Sequence, residues 1–232
     1  MRFLDFGRSE GDKRDPMGVL VKICGINSVE AADAAVAAQA DFAGLVFHTK
    51  SPRNLTLDAA RALGAHMRGR VRLVTLICDA GDDQIGAIVE ALAPDFLQLH
   101  GAEPPARVAE IRARFGVPVI KAVAVAEAAD IAAAARTEAD MLLFDAKAPA
   151  GAERPGGHGA AFDWKLLRGR SFARPWLLAG GLDAGNVARA IRASGAPAVD
   201  VSSGVESAPG VKSPDMIRAF ASAARSLQES PA

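Results

Sequence analysis

The chain alternates short apolar runs with longer alanine-rich amphipathic stretches from Val19 onward. The runs are rich in β-branched residues, as buried parallel strands are, and the stretches between them have helical spacing. The starts of successive runs are on average about 25 residues apart, the length of one strand-helix unit. Eight such runs begin near Leu20, Phe42, Arg72, Phe96, Pro118, Asp140, Trp176 and Ala198.

Eight strand-helix units can close into a barrel or stay open as a doubly wound sheet. The even spacing and the final helix favour the barrel. An open dinucleotide-binding sheet needs a glycine-rich fingerprint after its first strand, and the segment Cys24-Gly25-Ile26-Asn27-Ser28 is not one. We therefore predict the α/β class, with a single (β/α)8 TIM barrel over residues 19–232. A charged N-terminal tail over residues 1–18, expected to be flexible, precedes it.

The stretches between the runs predict helices whose N-caps are already visible. Ser28 and Thr56 are good caps for the first two helices, the second of which starts at Leu57. Two connections, 48–56 and 146–162, are longer than strand-helix loops need, which indicates a functional role. The other predicted ranges are 28–39 for the first helix, then 82–92, 104–115, 126–136, 184–194 and 213–227.

Composition excludes several classes of function. The 27 basic residues balance the 27 acidic ones, so no basic surface argues for nucleic acid or an anionic membrane. Two cysteines and four scattered histidines give neither a disulfide framework nor a zinc pattern. Eight charges among the first fifteen residues leave no room for a signal peptide. We expect a cytoplasmic protein that binds neither nucleic acid nor membrane.

The end of the first strand carries a candidate base. A barrel enzyme builds its active site at the carboxyl ends of its strands. Alternation puts Lys22 and Cys24 on one side of their strand, and we expect both to point into the barrel. An ammonium beside a thiol lowers the thiol pKa and produces a usable thiolate. A buried cysteine that merely packs as a small hydrophobe is an equally good interpretation.

The sixth strand ends on a carboxylate, Asp145. At a half-buried barrel mouth, the pKa of such a group can be raised enough for it to act as a general acid near neutral pH. An aspartate that only orders a loop is the simpler interpretation of a strand end taken alone. Together, a base and an acid at one mouth indicate that a proton is moved within a substrate.

Other strand ends carry candidate binding groups. Arg53 follows a stiff proline and suits a carboxylate, although a lone loop arginine is often only solvated. Gln98 and His100 share a face, and His100 is either a rival proton shuttle or a structural histidine. The last two loops are built of small residues, which either grip phosphate through backbone amides or only permit tight turns. These loops contribute Gly180, Gly181, Asp200, Ser202, Ser203 and Gly204.

In the order of these motifs, the chain resembles the phosphoribosylanthranilate isomerase family of tryptophan biosynthesis. The resemblance extends from about Val21 to about Arg225. The matching segments are Lys22-Ile23-Cys24-Gly25, Gly44-Leu45-Val46-Phe47 with Ser51-Pro52-Arg53, Gln98-Leu99-His100-Gly101, Phe162-Asp163-Trp164, Gly180-Gly181-Leu182, and Val199 to Glu206 with Pro209-Gly210.

The resemblance implies that Cys24 is a general base and Asp145 a general acid in an Amadori rearrangement of a phosphorylated small molecule. It implies that Arg53 holds a substrate carboxylate and that the last two loops hold the phosphate. The other residues assigned to substrate binding are Lys22, Gln98, His100 and Asp200. No metal or cofactor is implied, and the chain is expected to be a monomer or a homodimer.

Two other functions stay open at this point. A related barrel isomerase of histidine biosynthesis shares the phosphate loops, but it is expected to carry aspartate where Cys24 stands. A non-catalytic protein that binds phosphorylated ligands would keep the glycine and serine loops and would need neither Cys24 nor Asp145.

Overall fold

The computed structural model describes residues 18–134, 136–147 and 161–226, and these form a closed barrel of eight parallel strands. Each strand pairs with the next along the chain, and the eighth pairs with the first. Every strand begins within one residue of its predicted start, which confirms the (β/α)8 TIM barrel. The strands are β1 (Leu20–Cys24), β2 (Phe42–Phe47), β3 (Arg72–Ile77), β4 (Phe96–Leu99), β5 (Val119–Val125), β6 (Met141–Ala146), β7 (Trp176–Leu178) and β8 (Ala198–Val201).

Seven α-helices surround the barrel within the described residues. The predicted caps are confirmed, since Ser28 Oγ accepts the Ala31 N–H and Thr56 Oγ1 accepts the Ala59 N–H. The helices are α1 (Val29–Ala37), α2 (Leu57–Met67), α3 (Asp82–Leu92), α4 (Pro105–Phe115), α5 (Ala128–Ala134), α6 (Val187–Ser194) and α7 (Pro214–Arg225).

Two helices, α5 and α6, start two or three residues later than predicted because aspartates order the turns before them. The Asp130 carboxylate accepts the backbone N–H groups of Ala126 and Glu127, so α5 starts two residues later than expected. Asp183 Oδ1 accepts the N–H groups of Gly185 and Asn186 in the same way before α6. These side chains replace the first turn of each helix.

The sixth strand-helix unit departs from the repeat. Between β6 and β7 the described residues form a short 3-10 helix, Trp164–Leu167, where the other units have an α-helix. Asp163 caps it by accepting the Lys165 N–H. Most of the long connection predicted over 146–162 lies outside the described residues, as does nearly all of the tail predicted over residues 1–18.

The barrel interior has an apolar lower part and a polar upper end. One cluster of buried side chains draws on all eight strands, from Leu20 and Phe42 to Ala198. A smaller group, Cys24 with Val46 and Leu76, lies apart from it near the carboxyl ends of the strands. The apolar filling supports the strands from below, so polar side chains are held in place at the mouth.

An extra hairpin follows β8 at this end of the barrel. Its strands are β9 (Glu206–Ala208) and β10 (Val211–Lys212), joined by Pro209-Gly210. The Asn27 side chain donates to the Gly210 carbonyl at 2.8 Å, which fixes the hairpin to the loop after β1. None of the described helices is both long and apolar enough to cross a lipid bilayer.

Candidate active site

The carboxyl ends of the strands bring most of the predicted site residues into one buried layer. Lys22 lies in β1 and Cys24 ends it, Gln98 lies in β4, Asp145 is the last residue but one of β6, and Asp200 lies in β8. None of these five residues is more than 9% exposed. Buried polar groups are costly unless they are paired, so their partners define the site.

Lys22 is paired across the barrel wall with Asp200. Their positions are in register between β1 and β8, and the Lys22 Nζ donates to Asp200 Oδ1 at 2.7 Å. Burial alone would lower the pKa of Lys22, but Asp200 and then Cys24 raise it above its usual value. Lys22 is therefore a charged ammonium whose charge is balanced by Asp200.

The Cys24 thiol lies beside Lys22 and against Gly44 of β2. A Cβ atom at Gly44 would stand 3.0 Å from the Cys24 Sγ and 3.3 Å from the Lys22 Nζ, so a side chain there would crowd both groups. The predicted lowering of the thiol pKa is wrong. Burial raises the pKa of Cys24 above its usual value, and the opposing effect of Lys22 is smaller.

Both oxygens of the Asp145 carboxyl group have neighbours. Oδ1 accepts the N–H of Ala146 at 2.8 Å, and Oδ2 lies 3.2 Å from His100 Nε2. Gly180 adopts a left-handed φ of +87°, and a Cβ atom there would stand 3.2 Å from Asp145 Oδ1. The glycine after β7 therefore makes space for this carboxyl group.

Gln98 and His100 form a chain of contacts that ends on Asp145. The Gln98 Nε2 donates to His100 Nδ1 at 2.8 Å, which leaves His100 Nε2 to carry the ring proton toward Asp145. Gln98 is fully buried and the His100 side chain is 10% exposed. This geometry orients Asp145 through the histidine, a role that the sequence analysis did not assign to either residue.

Arg53 is buried and ion-paired, and the interpretation of a solvated loop arginine is wrong. Its Nε and Nη2 donate to the two carboxylate oxygens of Glu206 at 2.6 and 2.7 Å. Gly25, at a φ of +80°, permits this packing, because a Cβ atom there would stand 2.5 Å from Arg53 Cδ. Two of the three guanidinium nitrogens are thus engaged by Glu206.

Glu206 and Lys212, which were not among the predicted site residues, complete this ion-pair network. The Lys212 Nζ donates to Glu206 Oε1 at 2.7 Å and to the Ser202 carbonyl at 2.9 Å. Burial lowers the pKa of Lys212 despite the opposing charge of Glu206. The signal that could have found the pair is their placement on either side of Pro209-Gly210, a hairpin turn that brings them together.

The loops after β7 and β8 lie side by side, as predicted. Gly181 has a left-handed φ of +62°, and its carbonyl accepts the Asn186 side-chain N–H at 2.8 Å. A Cβ atom at Gly204 would overlap the Leu182 carbonyl oxygen, so the two loops are in direct contact. Ser202 precedes a 3-10 turn over Ser203–Val205. The arrangement offers small residues and backbone groups at one side of the mouth.

The sequence model of the N-(5'-phosphoribosyl)anthranilate (PRA) isomerase family matches residues 21–223 of the 232 in the chain. The match covers every residue of the site described above and all of the barrel strands except Leu20, the first residue of β1. The chain belongs to this family.

Individual PRA isomerases are similar over almost their whole length. The enzyme of Rhodopseudomonas palustris (strain BisB18) is 54% identical over 215 residues, which are 92% of this chain and 99% of the relative. A crystal structure of monomers made from the dimeric Thermotoga maritima enzyme superimposes with a TM-score of 0.76 at 34% identity, covering 89% of this chain and 98% of that one.

A further PRA isomerase structure contains reduced 1-(o-carboxyphenylamino)-1-deoxyribulose 5-phosphate. It is 34% identical to this chain, with a TM-score of 0.75 and coverage of 89% of this chain and 98% of that one. The barrel and its order of strands are therefore shared with PRA isomerases of known structure.

Arg53 and Lys212 both donate to the Glu206 carboxylate, so we expect substitution of Glu206 to destabilise the fold. We expect Glu206→Gln to lower the free energy of unfolding by about 1.5–3 kcal/mol, because charged hydrogen bonds to Arg53 and Lys212 are lost. The pKa of Glu206 is about 2, since these partners outweigh burial. Its contribution to stability is therefore full above pH 4.5 and is lost as the pH falls toward 2.

Thermal and urea unfolding at pH 7 and pH 3 measures this effect. Glu110→Gln is the matched control, because Glu110 pairs with Arg107 on the surface with a half-exposed side chain. We expect the control to cost less than about 1 kcal/mol. Equal losses in the two variants would contradict the structural weight given to Glu206.

Proposed function

We propose that this chain catalyses the Amadori rearrangement of N-(5-phosphoribosyl)anthranilate to 1-(2-carboxyphenylamino)-1-deoxyribulose 5-phosphate, a step of tryptophan biosynthesis. The observation that carries the proposal is the pair Cys24 and Asp145 at one barrel mouth in a chain of the PRA isomerase family. The reaction moves protons within one molecule, so general acid-base catalysis by two side chains accounts for it without a metal or cofactor.

Asp145 acts first, as the general acid. Its proton is given to the ring oxygen of the ribose, the bond between that oxygen and C1 breaks, and the anthranilate nitrogen shares the positive charge as a protonated Schiff base. The hydrogen bonds from Ala146 and His100 support this role, because they hold the carboxyl group in one orientation and stabilise the carboxylate left behind.

Cys24 then acts as the general base. Its thiolate removes the C2 proton, the electron pair forms the C1–C2 double bond, and the nitrogen becomes neutral. The resulting enolamine becomes the ketone when the hydroxyl proton at C2 is lost and C1 gains one. The position of the thiol beside the Lys22 ammonium supports this role, because a nearby positive charge favours the thiolate.

The substrate is held at its two anionic ends. The loops with Gly180, Gly181 and Ser202 to Gly204 take the phosphate, and Lys212 supports them by fixing the Ser202 carbonyl. Arg53 contributes Nη1 to the anthranilate carboxylate while Glu206 keeps the guanidinium in place.

The proposal extends to the setting of the enzyme. Both cysteines, Cys24 and Cys78, are free thiols, which fits the reducing conditions of the cytoplasm. We assign the protein to that compartment, as a monomer or a homodimer whose partner is a phosphorylated small molecule and not nucleic acid or a membrane.

Loss of the fluorescence of N-(5-phosphoribosyl)anthranilate tests the proposal directly. We expect the purified chain to convert the substrate with a rate proportional to enzyme concentration and without added metal. Because the product is an isomer of the substrate and has the same mass, it is identified by the ¹³C NMR signal of its C2 ketone. Binding of the substrate without any loss of fluorescence would contradict catalysis and support a non-catalytic binding protein.

A further inference from the structure

The charge nearest to Cys24 is partly offset by a carboxylate. The Lys22 Nζ is 2.7 Å from Asp200 Oδ1, and the two side chains are 0% and 8% exposed. Burial raises the pKa of Cys24, Lys22 lowers it, and Asp200 opposes the effect of Lys22. Since a buried thiolate is costly without a counter-charge, a second source of positive charge would favour the proposed base further.

A second group of buried charges lies at the same end of the barrel and is not balanced. Glu206 Oε1 accepts from both Arg53 Nε at 2.6 Å and Lys212 Nζ at 2.7 Å. The side chains of Lys212, Glu206 and Arg53 are 0%, 3% and 5% exposed. One carboxylate thus lies between two basic side chains, and solvent does little to screen their charge. Burial lowers the pKa of Lys212, while Glu206 and Cys24 oppose this effect and favour the ammonium.

This group adjoins Cys24. The Arg53 side chain packs over Gly25, the residue directly after the thiol. Burial raises the pKa of the Cys24 thiol. Lys22 lowers this pKa, Asp200 raises it, and Lys212 lowers it. On the β3 side the titratable neighbour is Cys78, which is a neutral thiol near pH 7 because its pKa is raised to about 12.

We propose that the unbalanced positive charge of Arg53 and Lys212 adds to that of Lys22 as the counter-charge of the Cys24 thiolate, with Lys212 as the positioning residue. In the two groups of buried ion pairs described above, three basic side chains, Lys22, Arg53 and Lys212, face two carboxylates, Asp200 and Glu206. When the Cys24 S–H bond breaks, its proton goes to solvent water and the sulfur keeps the electron pair. The thiolate then brings the cluster to neutrality.

The inference rests on the proposed function, because it explains how the general base obtains its charge. It makes a prediction that a purely structural role does not. Lys212→Gln and Glu206→Gln break the same ion pair, yet they remove charges of opposite sign. The first must disfavour the thiolate and the second must favour it, each by about tenfold at a given pH.

Titration of the thiolate by its ultraviolet absorbance measures this without substrate. The chain has two cysteines and no tyrosine, so a Cys78→Ser background leaves Cys24 as the one thiol and no tyrosinate absorbs at high pH. We expect the midpoint to move to higher pH in Lys212→Gln and to lower pH in Glu206→Gln. Lys212→Arg, which keeps the charge, and Lys165→Gln, at an exposed lysine, should leave it unchanged.

Each outcome decides the inference. Midpoints that move in the same direction, or that do not move in variants with a cooperative thermal transition, overturn it. If Lys212→Gln does not fold, the direction of the Glu206→Gln shift decides alone. Failure of the proposed function is separate, because a chain that titrates as expected and leaves N-(5-phosphoribosyl)anthranilate unchanged would retain the inference and lose the activity.

Discussion

Replacing Asp145 with asparagine should lower kcat by about 10²–10⁴, the contribution of a positioned proton donor. The amide keeps the size of the side chain and an oxygen for the Ala146 N–H, so folding should be preserved. It has no acidic proton to give to the ribose ring oxygen. We expect KM to change much less than kcat, because the ring oxygen is protonated only in the transition state.

Asp163→Asn is the matched control, since Asp163 caps a surface turn through the Lys165 N–H. We expect its kcat to equal that of the wild type. Fluorescence loss at saturating substrate gives kcat for both variants, and thermal unfolding verifies that each is folded. A folded Asp145→Asn enzyme with nearly full kcat would remove Asp145 as the acid and make His100 the next residue to test.

Replacing Cys24 with serine should also lower kcat by about 10²–10⁴, because a hydroxyl group is a far weaker base than a thiolate. Serine is nearly isosteric with cysteine and fits between Lys22 and Gly44, so the ion pair of Lys22 with Asp200 should remain. The loss should therefore appear in the step that breaks the C2–H bond. A larger isotope effect with substrate deuterated at C2 would identify that step.

Cys78→Ser is the control for this variant. Cys78 packs against the same small cluster as Cys24, and its pKa is raised to about 12, chiefly by burial. We expect wild-type kcat from the control. Equal losses of kcat in Cys24→Ser and Cys78→Ser would show that a polar group in this cluster lowers the rate and would contradict the role of Cys24 as the base.

The positions of the strands could be predicted because the information is local. The first residue of each apolar run marks the start of a strand. The alternation within β1 likewise placed Lys22 and Cys24 on one face of the strand from the sequence alone. The N-caps of α1 and α2 were equally local. The shortened starts of α5 and α6 were missed because a side chain took the place of a helical turn.

The ion pairs of the site could not be predicted because they join distant parts of the chain. Arg53 and Glu206 are 153 positions apart, and Lys22 and Asp200 are 178 positions apart. The error about the Cys24 pKa has the same origin. The sequence placed an ammonium beside the thiol, but the carboxylate that balances the ammonium and the burial of the thiol became visible only in the folded chain.

The pH dependence of kcat/KM in the wild type, Cys24→Ser and Asp145→Asn tests the assigned acid and base most directly. The wild-type profile should be bell-shaped, because one group must be deprotonated and the other protonated. In Asp145→Asn the limb at high pH should vanish, and the residual rate should keep rising with pH because the pKa of Cys24 is above its usual value. In Cys24→Ser the limb at low pH should vanish. Profiles that keep both limbs in both variants would contradict the account.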